Sequence, residues 1–303
     1  MPHHCHIRLN GIDMHIAEQG EGPLVLLLHG RPETWYSWRH QIDALAAAGY
    51  RVVAPDQRGY GATDRPAAID QYSIFHLVGD VVALIHELGE ERAVVGHDWG
   101  SMVACNTALL RPQVVRGVVA VSIPPLPRET RPPLTVTAQR FGDGFYQNYF
   151  QEPGVAEADL GKDVATTLRL AFAGVRAAEP SEGFLGLFAE PGALPAWLTE
   201  EDLVTFVEQF TTSGFAGGLN WYRNLDRSRE QTAAWQDVPI TPPSLYISGE
   251  HDAMRTVYPM DDAVRAIVPG LRGIADVPGC GHWTQQERPE AATGALLDFL
   301  RGL

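Results

Sequence analysis

The sequence predicts an α/β fold: a mostly parallel, doubly wound sheet with a helical segment inserted between two of its strands. Three observations carry this. Continuous apolar runs of strand length recur along the chain, and such runs suit strands buried on both faces of a parallel sheet. Segments with helical spacing of apolar residues separate several of them. The rhythm stops after Pro124 and returns only at Leu245.

In chain order, two short alternating stretches, His6–Leu9 and Met14–Glu18, flank Asn10-Gly11 and read as a hairpin. The first apolar run follows at Pro23–Leu28. Further runs stand at Arg51–Ala54, Ala93–Gly96, Gly117–Ser122 and Leu245–Ser248. Gln41–Ala48 is rich in Ala and Leu and stops at Gly49, and Ile74–Leu88 has helical spacing and stops at Gly89. Pro124–Pro133 is crowded with proline and leads into helices and loops up to about Asp237. The expected organisation is therefore a core of residues 1–124 and 238–303, with a helical lid over 125–237.

The bulk properties exclude several classes of function. A chain of 303 residues can bury a large core without disulfides or metal. A net charge of −14 opposes binding to nucleic acid or to anionic membranes. Cys5, Cys105 and Cys280 are far apart and odd in number, as expected for reduced thiols in a cytoplasmic protein. Neither a signal peptide nor an apolar stretch approaching the ~20 residues of a membrane span is visible. The expectation is a soluble, cytoplasmic protein, and the pattern is compatible with a homo-oligomer.

The decisive segment is Val94-Val95-Gly96-His97-Asp98-Trp99-Gly100-Ser101, where a buried strand meets an Ala-containing helix. Small residues two before and two after the centre permit a sharp strand-to-helix turn that exposes a nucleophile. Here the centre is Asp98. With an ordinary pKa of ~3.9, an aspartate is already anionic at neutral pH and needs no base before attack. Attack on an sp³ carbon would give an alkyl ester of Asp98, which water could then cleave at the aspartyl carbonyl. This chemistry suits opening of an epoxide or displacement of a halide better than hydrolysis of an ester or amide. An aspartate at this point would also serve as a helix cap.

The second step needs a base. His282 lies in the Gly-rich stretch Gly279–Trp283, after the last apolar strand. Asp252, just after the strand Leu245–Ile247, is the expected orienting acid, with Glu250 as its rival two residues away. The order Asp98, Asp252, His282 is one in which such sets are built. Two backbone amides are expected to hold the oxyanion: Trp99, directly after the nucleophile, and Arg31, in the turn after the first buried strand.

These residues carry a family resemblance. HGRPETWYSWRHQI (His29–Ile42), APDQRGYGATDRP (Ala54–Pro66), VVGHDWGS (Val94–Ser101), FYQNYFQEPGVAEADL (Phe145–Leu160), GFAGGLNWYRN (Gly214–Asn224) and CGHWTQQERP (Cys280–Pro289) resemble the epoxide hydrolases of the α/β-hydrolase fold. The similarity runs from about His6 to Leu303. It extends to bacterial members and to the hydrolase domain of mammalian and plant soluble enzymes. The mammalian proteins also carry a phosphatase domain, for which no residues remain here. The resemblance implies that Tyr146 and Tyr222 project from the lid over Asp98 and donate to the epoxide oxygen. Phenols, with pKa ~10, are protonated at neutral pH and suit that role. Without the resemblance, a tyrosine in a helical segment is ordinary packing, and Tyr149 looks no different from Tyr146. His29, Trp35 and Trp283 are read as substrate-contacting residues. No cofactor and no metal is expected, since the His3–His6 cluster falls in a terminus expected to fray. The core motifs are shared with haloalkane and haloacid dehalogenases, the alternative reading. A non-catalytic binding protein on the same fold is a further rival.

One residue departs from the family pattern: Arg31 stands where an aromatic residue, commonly Phe, is usual. Its amide would serve regardless of side chain. Its guanidinium would stabilise the Asp98 carboxylate and blunt it, bind an acidic substrate, or turn aside to a lid carboxylate. The expectation drawn is a polar or anionic epoxide.

Overall fold

The computed structural model describes residues 1–89, 92–176 and 184–303. Its strands are β1 (His3–Leu9), β2 (Ile12–Gln19), β3 (Leu24–Leu28), β4 (Arg51–Pro55), β5 (Arg92–His97), β6 (Val115–Val121), β7 (Val175–Arg176), β8 (Phe188–Ala189), β9 (Ser244–Gly249) and β10 (Leu271–Val277). Asn10 and Gly11 between β1 and β2 have φ of 45° and 78°, the left-handed pair that a two-residue hairpin turn needs. The main sheet has the order β1-β2-β4-β3-β5-β6-β9-β10, antiparallel at β1, β2 and β4 and parallel from β4 onward. This is the α/β-hydrolase architecture that the motifs implied.

The continuous apolar runs are explained by burial on both faces. Leu24, Leu26 and Leu28 of β3 join one core, and Val25 and Leu27 join the other. Val118 and Ala120 of β6 likewise oppose Val119 and Val121, following the two-residue period of a strand. Helices α1 (Arg39–Ala47), α2 (Ile74–Leu88) and α3 (Trp99–Leu110) connect the early strands. Helix α2 has the expected bounds and ends on Gly89 at φ 83°. The chain moves outward from β3 to β4, then crosses to the far side of β3 as β5. That reversal opens a crevice at the carboxyl ends of β3 and β5, the usual place for a ligand in such sheets.

β6 ends at Val121, and its parallel neighbour β9 begins at Ser244. Between them lie α4 (Pro133–Phe141), α5 (Tyr146–Tyr149), α6 (Val155–Gly161), α7 (Val164–Ala173), α8 (Glu200–Ser213), α9 (Ala216–Arg223) and α10 (Leu225–Gln231). Phe206, Phe210, Phe215 and Trp221 from this segment share a core with Leu26, Leu28 and Val94 of the sheet. Helix α9 sits directly on the loop after β4. A Cβ on Gly217 would stand 2.3 Å from the Gly59 carbonyl oxygen, so only glycine allows the approach. The Trp221 indole donates to the Arg58 carbonyl at 3.1 Å. After β9 come α11 (Met254–Val257), α12 (Asp262–Ala266), α13 (Thr284–Glu287) and α14 (Pro289–Arg301).

The N-terminus does not fray as expected. His3 to Leu9 pair residue by residue with β2, and His4 Nδ1 lies 3.0 Å from His15 Nε2. Backbone pairing with an internal strand supplies an order that the composition of the segment does not reveal. Among the described residues, no group of three or more His, Cys, Asp or Glu is arranged for a metal, and no helix is long and apolar enough to cross a membrane. All three cysteines are free.

Candidate active site

Asp98 occupies the sharp turn between β5 and α3 with φ 51° and ψ −119°, a conformation that costs a non-glycine residue of order 1–3 kcal/mol. The turn is tight enough to require its glycines. A Cβ on Gly96 would lie 2.0 Å from the Gly100 oxygen, and one on Gly100 would lie 2.0 Å from the Leu28 oxygen. The Asp98 side chain makes no capping hydrogen bond to α3, so helix capping does not account for the residue.

The carboxylate is instead held from two sides. Its Oδ1 accepts from the Arg31 amide at 2.9 Å, across the crevice between β3 and β5. Its Oδ2 lies 3.7 Å from His282 Nε2. The Trp99 amide opens α3 and is one of the donors that a helix start leaves without an intrahelical acceptor.

The other face of His282 meets Asp252, with Nδ1 at 3.1 and 3.2 Å from the two carboxylate oxygens. The choice between the two acids is therefore resolved geometrically, since Glu250 is exposed and accepts from the Gly279 amide at 2.9 Å. Burial works against the His282 cation. The charge and hydrogen bond of Asp252 outweigh it, with help from Asp98 and Glu33, and the pKa rises to about 9. Burial likewise opposes the Asp252 carboxylate, but His282 and the Met254 amide hold it below its ordinary range. At neutral pH His282 thus rests as an imidazolium against the Asp252 carboxylate.

Tyr146 and Tyr222 come from α5 and α9, and their rings meet edge to face with centroids 5.9 Å apart. Tyr222 also stands edge-on to Trp99 at 5.1 Å. Burial pushes both phenols well above their ordinary pKa. The negative charge of Asp98 adds to this in each, so both stay protonated donors. The Tyr149 hydroxyl donates to Asp159 at 3.2 Å. Arg223 ties the two helices together. Its Nε donates to the Phe150 carbonyl at 3.0 Å, and its terminal nitrogens reach both Glu157 oxygens at 2.6 and 2.9 Å.

Of the residues expected to touch substrate, Trp283 lies nearest, packed on His282 at 4.8 Å and on Phe172 at 4.8 Å. His29 is corrected. It is fully buried, donates from Nδ1 to the Gly30 carbonyl at 2.8 Å and accepts the Gln57 amide at Nε2. Both ring nitrogens are consumed in holding the turn. Trp35 is corrected too, because it packs edge-on against His4 of β1 at 4.7 Å while its amide donates to Asp56.

Sequence reasoning missed Glu33 and His97. Glu33, fully buried, accepts from the Gly30 amide at 2.9 Å, His97 Nδ1 at 2.7 Å, Gln285 at 2.8 Å and Gln286 at 3.0 Å. His97 Nε2 in turn reaches the His282 carbonyl at 2.8 Å. Both partners of the His97 ring accept, so it donates at both nitrogens. This chain joins the Arg31 turn to the His282 loop. The only trace of it in the sequence is a carboxylate three residues after Gly30, which is too common a spacing to signal anything. Gln147 was missed as well; it donates to the Tyr146 hydroxyl at 3.3 Å and to that of Tyr258 at 2.9 Å. Beside Trp99, a cavity of about 220 Å³ is lined by Met102, Val136, Gln147, Leu225 and Tyr258.

Known proteins share this arrangement of chain. The family described as alpha/beta hydrolase fold matches residues 23–289. Epoxide hydrolase A of Mycobacterium tuberculosis is 47% identical, covering 97% of this chain and 96% of that protein. Epoxide hydrolase 1 of Siraitia grosvenorii is 40% identical over 98% of each. The crystal structure of epoxide hydrolase A from Mycobacterium thermoresistibile superposes with a TM-score of 0.95 at 43% identity, covering 100% of this chain and 99% of that one.

Proposed function

The chain belongs to the α/β-hydrolase-fold family and is an epoxide hydrolase, and on that premise we propose that Asp98 is its covalent nucleophile beneath Tyr146 and Tyr222. One observation carries the reading. The Asp98 carboxylate has one oxygen on the Arg31 amide and the other facing His282, while Tyr222 packs on the neighbouring Trp99 and Tyr146 packs on Tyr222.

The free oxygen, Oδ2, attacks a ring carbon, and the carbon–oxygen bond of the epoxide breaks. The oxygen leaving that carbon takes a proton from one phenol and keeps a hydrogen bond from the other. Oδ1 becomes the ester carbonyl, already in place for the Arg31 amide, with the Trp99 amide as the second donor. Two preorganised donors of this kind typically supply about 10²–10³ in rate each.

Esterification removes the negative charge of Asp98. One of the supports of the His282 cation goes with it, so the imidazolium gives up its proton, through solvent, to the phenolate, and the neutral ring becomes available as a base. His282, oriented by Asp252, then takes a proton from water, and hydroxide adds to the ester carbonyl. Collapse breaks the acyl–oxygen bond, restores the Asp98 carboxylate and releases a vicinal diol. One proton of the water restores the His282 imidazolium, and the other ends on the second hydroxyl of the diol.

Residues 125–237 act as the lid, bringing the tyrosines over the nucleophile, with residues 1–124 and 238–303 as the core. The cavity beside Trp99 accommodates a substituent of the epoxide. Paired phenols aimed at a developing alkoxide favour epoxide opening over dehalogenation, whose leaving halide needs no proton. A single turnover in oxygen-18 water tests the proposal: label in the Asp98 peptide supports the ester, and its absence there refutes it.

A further inference from the structure

We propose that Arg31 forms an anion subsite within the active site, so that the enzyme favours epoxides carrying a carboxylate close to the ring. The inference rests on the reading of Asp98 as nucleophile and adds to it a class of substrate.

Arg31 is 6% exposed. Its guanidinium carbon lies 4.3 Å from the ring centre of Phe150, 5.2 Å from that of Phe184 and 5.6 Å from that of Tyr222. Among the described residues the side chain makes neither a hydrogen bond nor an ion pair. Among the described residues no protein group accepts from the five N–H donors of this fork, and aromatic faces flank it. Aromatic faces attract a cation but offer no in-plane acceptor, and a buried charge left unpaired is costly.

The position of the guanidinium points to the same reading. The amide of the same residue donates to Asp98 Oδ1, and Tyr222 is in ring contact with the guanidinium. A carboxylate held by this fork is therefore no more than one side chain away from the carbon under attack. The planar guanidinium matches a carboxylate in two parallel hydrogen bonds, which a lysine could not reproduce. Asp98, Asp252 and Glu33 would repel such a substrate, while His282 and Arg31 offset them locally.

The test uses terminal epoxides bearing a carboxylate one to three methylenes from the ring, each beside its primary amide. Turnover of the amides by the wild type reports on the underlying reading, because it needs only the nucleophile and phenols. The wild type is expected to prefer at least one acid over its amide by about tenfold or more in kcat/KM. Arg31→Gln is expected to erase that preference and Arg31→Lys to restore part of it. In the wild type, butanoate should inhibit amide turnover competitively and butanamide should not. Turnover of amides with no preference for any acid would overturn the inference, as would a preference that survives in Arg31→Gln. If that variant does not fold, the wild-type preference and the inhibition by butanoate decide the matter.

Discussion

His282 Nε2 stands 3.7 Å from Asp98 Oδ2 while its Nδ1 is 3.1 Å from Asp252. An imidazole between two carboxylates is held as a cation, and its pKa of about 9 depends on both. In Asp98→Asn, whose neutral amide resembles the ester, the imidazole should titrate below the wild-type value, as followed by its ring proton resonances. An unchanged value would mean that Asp98 does not set the state of the base.

The same shift has a consequence for stability. The pKa of the folded state lies above the ordinary 6.5, so the protonated ring stabilises the fold fully below pH 6.5. That contribution is lost as pH rises through about 9. Thermal melts of the wild type should fall across this window, and those of His282→Gln should be flatter.

Removing the base should separate the two half-reactions. In His282→Gln, alkylation persists and ester hydrolysis slows by about 10²–10⁴-fold. The intermediate should accumulate as an Asp98 peptide heavier by the mass of the epoxide. Recovery of only unmodified peptide under saturating epoxide would argue that His282 acts before the ester forms.

In the proposed mechanism the phenols donate in the first half-reaction. Tyr146→Phe and Tyr222→Phe should each slow alkylation by about 10–10³-fold, and the double variant more steeply. Rapid-quench single turnovers measure this. Tyr149→Phe, which loses a bond to Asp159, is the control and should alkylate at close to the wild-type rate.

Arg223 holds the two tyrosine-bearing helices in one geometry. Arg223→Ala removes the Arg223 donor from the Phe150 carbonyl and leaves Glu157 without its charge partner. We expect a loss of about 3–5 kcal/mol in urea unfolding and a fall in kcat exceeding that of the milder Glu157→Gln. Full activity in Arg223→Ala would show that the tyrosines are placed without it.

What the sequence determined by itself is local. Apolar runs buried on both faces define the strands. Gly96 and Gly100 permit the bend that exposes Asp98, because the backbone there leaves no room for a Cβ. The order of Asp98, Asp252 and His282 follows from which strand each one ends. Tertiary structure alone placed the rest: Asp252 rather than Glu250 against His282, His29 as a support of its turn, and the N-terminal histidines as a paired edge strand. Glu33, His97 and the enclosed guanidinium of Arg31 were likewise visible only in the fold. Each of these depends on which segments, often more than a hundred residues apart, pack together. Such contacts leave no period or spacing in a single chain, since they are selected by shape and charge across the interface between sheet and inserted helices.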